Sequence, residues 1–133
     1  MENNLLLQEL SYWQWEISGY RKAALIIEDR LCTMQKHVEP GNATRSQIRR
    51  LLDRFVAEDL ELCELEKDIV SEKEAIRRLK LNEESLKTII PAHEQTGKRI
   101  SEEEKLFPAL KHDYDQLIDE LLLQLYATPP NRQ

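Results

Sequence analysis

Leu6, Leu10, Trp13, Ile17, Tyr20, Ala24, Ile27, Leu31, Met34 and Val38 recur in alternating steps of four and three. Ten unbroken hits mark one long helix with a single seam, and a seam of that length needs another helix to cover it. Composition agrees. The chain has 133 residues, of which only three are glycine and a third are charged. That mix excludes a β-sandwich or a Gly-rich nucleotide fold and points to long helices. The first helix is expected over about residues 3–38. Pro40 ends it by biasing Glu39 out of the α region. Lys36 and His37 place positive charge in its last turn, where the helix dipole favours it.

Pro40-Gly41-Asn42-Ala43 reads as a turn, and Thr44 with Gln47 reads as a capping box that opens a second helix. Asn42-Ala43-Thr44 matches a glycosylation acceptor but reads here as turn and cap chemistry. The second helix is expected over about 45–90, with Ile48, Leu51, Phe55, Leu62, Leu65, Ile69, Ile76, Leu79, Leu86 and Ile90 on the same grid. Glu58, Glu72 and Glu83 fill the remaining seam positions. Such glutamates sit at a seam's edge with their carboxylates in water, or act as a register or specificity device. Pro91 ends this helix, and 91–100 reads as a polar linker containing Gly97. Ser101 with Glu104 forms another capping box, for a third helix over about 102–126 marked by Leu106, Leu110, Tyr114, Leu117, Leu121 and Leu125. Pro108 either kinks that helix or starts it. Residues 127–133 read as a frayed tail.

A turn of about five residues forces the first two helices to fold back on each other. If Val38 meets Ile48, facing positions sum to about 86, so Leu31 faces Phe55, Ala24 faces Leu62, Ile17 faces Ile69 and Leu10 faces Ile76. Each of these pairs is apolar. The expected fold is all-α, one domain over 1–133: a long antiparallel helical hairpin, a coiled coil, with a shorter third helix packed on one end. The same register sets Cys63 opposite Ala23, about 13 Å along the helix from Cys32, too far for a disulfide.

A short third helix leaves the distal end bare. That end nevertheless carries Leu25, Ile26, Leu52, Val56, Leu60 and Cys63 outside the main seam. These six are the candidate partner-binding residues, for another protein or for a second copy in a homodimer. Trp15, off the seam, either faces the third helix or is an exposed contact point.

Several stretches carry a loose resemblance. They are Leu10-Ser11-Tyr12-Trp13-Gln14-Trp15-Glu16-Ile17 with Tyr20-Arg21, Arg54-Phe55-Val56 with Lys67-Asp68-Ile69, and Glu104-Lys105-Leu106-Phe107 with Leu110-Lys111 and Tyr114. Together they resemble a family of small, uncharacterised helical-hairpin proteins. The resemblance implies the fold and brings no activity with it.

Chemistry is sparse. None of His37, His93 and His112 follows a glutamate by three, and H-E-x-x-H is absent, so no metal site is expected. His112 is the one conceivable phosphotransfer residue, and it reads as an exposed polar side chain. No catalytic residue, cofactor or enzymatic activity is expected. The net charge of −6 disfavours general binding to nucleic acid or anionic membrane. The exception is a basic tip, where Arg45, Arg49, Arg50 and Arg54 could touch phosphate. It lacks an aromatic platform for bases, so nucleic-acid contact is the secondary reading. No apolar run is long enough to span a membrane. The start lacks the basic segment of a secretory signal, and the two cysteines lack C-x-x-C spacing. A cytoplasmic protein with reduced thiols is the expectation.

Overall fold

The computed structural model describes residues 2–39, 41–79 and 82–127, with side chains for 5–39, 41–79 and 82–124. Pro40, the tail 128–133 and the side chain of Leu125 lie outside the described residues. The described residues are all-α and form three helices: α1 (Glu2–Lys36), α2 (Ala43–Arg78) and α3 (Glu83–Ala127). No helix among the described residues is long and apolar enough to cross a membrane.

The first connection is made as a short turn. Gly41 adopts φ 84°, a left-handed conformation that suits glycine. The Asn42 side chain then accepts the backbone N–H of Thr44 at 2.7 Å and caps α2. Asn42 therefore takes the cap expected of Thr44. Arg45 ties the turn by donating to the Val38 carbonyl at 3.2 Å.

The second connection is where the structure departs most from the sequence reading. α2 stops at Arg78, because Leu79 turns to extended backbone at φ −87° and ψ 138°. Asn82 and Ser85 then cap each other: Asn82 N–H donates to Ser85 Oγ, and Ser85 N–H donates to Asn82 Oδ1, both at 2.9 Å. Glu83 and Glu84 follow in the first turn of α3, where acid is favourable. The expected linker over 91–100 is helix, Ser101 lies inside α3, and α3 is the longest helix at 45 residues.

Pro91 and Pro108 both sit within α3. Each removes one i→i−4 bond, leaving the carbonyls of Lys87 and Glu104 without that donor. Both prolines and both of those residues are exposed, so water can serve the freed carbonyls. On the opposite face Ile89, Ile100, Phe107 and Leu110 are buried, and that burial carries the helix through both positions.

Side-chain pairs define how the helices lie against one another. Lys73 donates to Gln14 at 2.9 Å and Arg21 to Glu66 at 2.5 Å, and the position numbers sum to 87 in both. Leu10, Ile17, Ala24 and Leu31 of α1 and Phe55, Leu62, Ile69 and Ile76 of α2 all lie in one core. On α3, Thr96 donates to Glu72 at 2.5 Å, Arg99 to Asp68 at 2.6 Å, and Asp113 accepts from Arg54 at 2.8 Å. α3 therefore runs along α2 as far as the basic tip and does not stay at one end, as the short third helix would have done. Aromatic contacts fasten α3 to the other helices. Trp13 stacks on His93 with centroids 4.7 Å apart, and Phe107 stacks on Tyr20 at 4.7 Å while meeting the edge of Phe55 at 6.3 Å.

Two helical glycines have opposite surroundings. A Cβ on Gly97 would meet the Trp13 indole at 3.3 Å, whereas a Cβ on Gly19 meets nothing within 4 Å. Alanine in a helix interior gains about 0.5–1 kcal/mol over glycine. Gly19→Ala is expected to raise stability by about that amount in urea unfolding. Gly97→Ala gains nothing, because the indole must move aside. Equal gains at both sites would show that Trp13 is not held against α3.

Candidate functional site

The six sequence-derived partner residues divide. Leu25, Ile26, Val56 and Leu60 stay between 43% and 65% exposed with α3 in place. Cys63 is half-buried, and Leu52 belongs to the core. Leu52 is thus corrected from contact residue to core residue. The pairing of Arg21 with Asp59 and Glu66 sets Leu25 and Ile26 level with Val56 and Leu60 along the bundle. All four lie at the same level of the bundle, Leu25 and Ile26 on α1 and Val56 and Leu60 on α2, and none of them belongs to the core.

A second apolar surface lies near the start of α1. An open groove of about 710 Å³ is lined by Leu5, Leu6, Tyr12, Trp13, Leu86 and Ile90, with Gln8 and Glu9 at its edge. Its floor is braced, because Trp13 rests on His93, whose Nε2 stands 2.5 Å from Glu9 Oε1. Trp15 is an exposed residue with its ring 6.0 Å from that of Tyr12; it does not face α3. Sequence reasoning passed over Leu5 and Tyr12. The signal was their spacing, which keeps both off the buried seam.

The arginine tip is less free than its sequence suggests. Arg49 pairs with Asp53 at 3.3 Å, Arg54 with Asp113 at 2.8 Å, and Arg45 with the Val38 carbonyl. Arg50 lies beside a hollow it shares with Asp113 and Glu120 of α3. A third helix reaching this end brings acid to the patch.

Two buried glutamates sit between α2 and α3. Glu58 is 4% and Glu103 8% exposed. The reading of Glu58 as a seam-edge residue with its carboxylate in water is therefore corrected: the longer α3 covers it. Neither Glu58 oxygen meets a hydrogen-bond donor among the described residues, nor does Glu103 Oε2. Glu103 can donate to Glu58 only in its protonated form, and its carboxyl group is the one that burial shifts. Burial, then hydrogen bonding to Glu58, then the charges of Glu58, Glu61 and Glu102 push the Glu103 carboxyl up to about 8. Burial also raises Glu16, beside Glu104, and Glu28, beside Asp59. Glu72 is raised by burial against the opposing hydrogen bond from Thr96. Burial and the neighbouring Glu16 push the Tyr20 hydroxyl up to about 12.

No group of three or more histidine, cysteine or acidic side chains that could hold a metal ion occurs among the described residues. Cys32 and Cys63 are free thiols. Comparison with protein-family models, curated proteins and solved structures finds no match to this chain.

The raised carboxyl groups set a direction for pH. Unfolded, Glu103 titrates at its ordinary value of 4.5; folded, it holds its proton to about 8. Across that window the folded chain keeps a proton that the unfolded chain has released. Stability is therefore full below the window, falls as pH rises through it and levels off above. Glu16, Glu28 and Glu72 shift in the same sense. Thermal unfolding is expected several degrees higher at about pH 5 than at about pH 9. Glu103→Gln, whose amide can donate to Glu58 at any pH, is expected to flatten the slope. A midpoint that rises from the acid to the alkaline end would show that Glu103 does not hold its proton across this window.

Proposed function

We propose that this chain is a non-enzymatic protein-interaction module, a scaffold, adaptor or regulator. In this reading α1 and α2 form an antiparallel coiled-coil hairpin, and a partner, including a second copy, is met by bundle association. The hairpin is supported by the constant sum in the Gln14–Lys73 and Arg21–Glu66 pairs. The observation that carries the function is the exposure of Leu25, Ile26, Val56 and Leu60 after all three helices have packed. Large apolar side chains grouped on a surface mark association sites more often than single exposed ones do. Free Cys32 and Cys63 suit a reducing, cytoplasmic setting. Nucleic-acid contact through Arg45, Arg49, Arg50 and Arg54 has less support, because three of the four already have partners within the chain.

The test is light scattering over rising concentration, together with cross-linking of the tagged chain in its native cell extract. Wild-type protein is expected to exceed the 15.7 kDa monomer mass or to cross-link to a discrete partner. Val56→Glu with Leu60→Glu should weaken that association at least about tenfold and change stability by no more than about 0.5 kcal/mol, as surface substitutions do. A strict monomer with no cross-linked partner would remove the association reading.

A further inference from the structure

We propose that the outer face of α1 is a self-docking seam, on which a second copy of the chain packs its own α1 in antiparallel register about Gly19. This rests on the association reading and names its partner and surface. Leu5, Gln8, Tyr12, Trp15, Gly19, Lys22 and Ile26 follow alternating steps of three and four, the period of a helix-packing seam. The first seam of α1, through Leu10, Ile17, Ala24 and Leu31, is buried against the other helices. The second line runs along the opposite side of the cylinder. Its four large apolar members, Leu5, Tyr12, Trp15 and Ile26, are between 53% and 72% exposed. It extends over about 30 Å at 1.5 Å per residue. Four such side chains from each of two copies cover on the order of 1,000 Å², the lower bound for a specific interface.

Charge selects the occupant and its direction. Residues 2–20 contain Glu2, Glu9 and Glu16 and no base, whereas 21–36 contain Arg21, Lys22, Arg30 and Lys36 against Glu28 and Asp29. A parallel pair of α1 helices would set acid on acid. An antiparallel pair sets the acidic half of each copy on the basic half of the other, bringing Lys22 toward Glu16 and Arg30 toward Gln8 and Glu9. Within the chain Arg21 already meets Glu66, Glu9 meets His93 and Glu16 accepts from Tyr20, so the cross-copy contacts of Glu9 and Glu16 add to these. The surface is therefore complementary to itself, as a two-fold interface requires.

Steric fit points the same way. Nothing lies within 4 Å of the position a Gly19 Cβ would take, so the backbone there is bare and open to close approach. With Gly19 on the two-fold, Tyr12 of one copy meets Ile26 of the other. Trp15 lies across Ala23 and the bare turn at Gly19.

The test uses the full chain in sedimentation velocity from about 5 to 200 μM, a range that resolves micromolar association. Wild-type protein is expected to shift to a dimer. Gly19→Leu places bulk in the gap, where its Cβ meets nothing within 4 Å, and replaces glycine with a better helix former. It should weaken dimerisation at least about tenfold while its unfolding midpoint stays level or rises. The register is read by oxidising Tyr12→Cys with Ile26→Cys in a Cys32→Ser and Cys63→Ser background. A disulfide between position 12 of one copy and position 26 of the other is expected; links of 12 to 12 or 26 to 26 overturn the antiparallel register. A wild-type monomer at the highest concentration overturns the seam, as does a dimer indifferent to Gly19→Leu. A dimer that survives Gly19→Leu but is lost on Val56→Glu with Leu60→Glu overturns the seam while leaving the association reading intact.

Discussion

Burial of one continuous apolar line is the condition on which the remaining features depend. Leu10, Ile17, Ala24 and Leu31 on α1, Phe55, Leu62, Ile69 and Ile76 on α2, and Ile100, Phe107 and Leu110 on α3 exclude water together. Each large member contributes roughly 1.5–3 kcal/mol, so a slip of one helix along another would lose several at once. The ion pairs at Arg21, Arg54 and Arg99 lie at the edges of these lines, partly in water. Pairs so placed are worth about 1 kcal/mol or less each. They follow the register and are too weak to impose it. The two prolines of α3 are tolerated for the same reason, since the face that carries the helix is the one they do not occupy.

Glu58 and Glu103 are the exception within that line. A carboxylate pair with no cation would be strongly unfavourable in an apolar contact, and the interior answers by retaining a proton. The nearby arginines cannot answer instead, because Arg21, Arg54 and Arg99 are bound to Glu66, Asp113 and Asp68.

The apolar line of α1 and the apolar residues of α2 that join it in the core were legible in the sequence, because a period of four and three is a local property. The break at residues 79–82 was not. Ile76, Leu79, Leu86 and Ile90 stay on one grid, so periodicity carries across the boundary between α2 and α3. The deciding signal was the Asn82–Ser85 cap, which is weaker in sequence than the prolines that drew attention to 91 and 108. One misplaced boundary then spread. A third helix starting near 102 leaves Leu52 and Glu58 open, whereas one starting at Glu83 is long enough to cover both and to bring Asp113 to Arg54. Leu25, Ile26, Val56 and Leu60 stayed legible because they lie away from the face that α3 takes.

α1 differs from its neighbours in carrying two lines of the same period on opposite sides. A helix that belongs only to a bundle's rim has one apolar stripe and an otherwise polar surface. Tyr12 and Trp15 break that rule beside a glycine that, in its own chain, nothing approaches. An exposed tryptophan alone would be unremarkable, since apolar atoms make up much of any protein surface. What sets this face apart is that apolar bulk and a bare turn lie along the same 22 residues, in a helix whose charge runs from acid in 2–20 to base in 21–36. Each has its complement on a reversed copy of that segment. Folding of the single chain uses only the inner line, so the outer one gains its full burial only when α1 becomes the centre of two bundles instead of the edge of one.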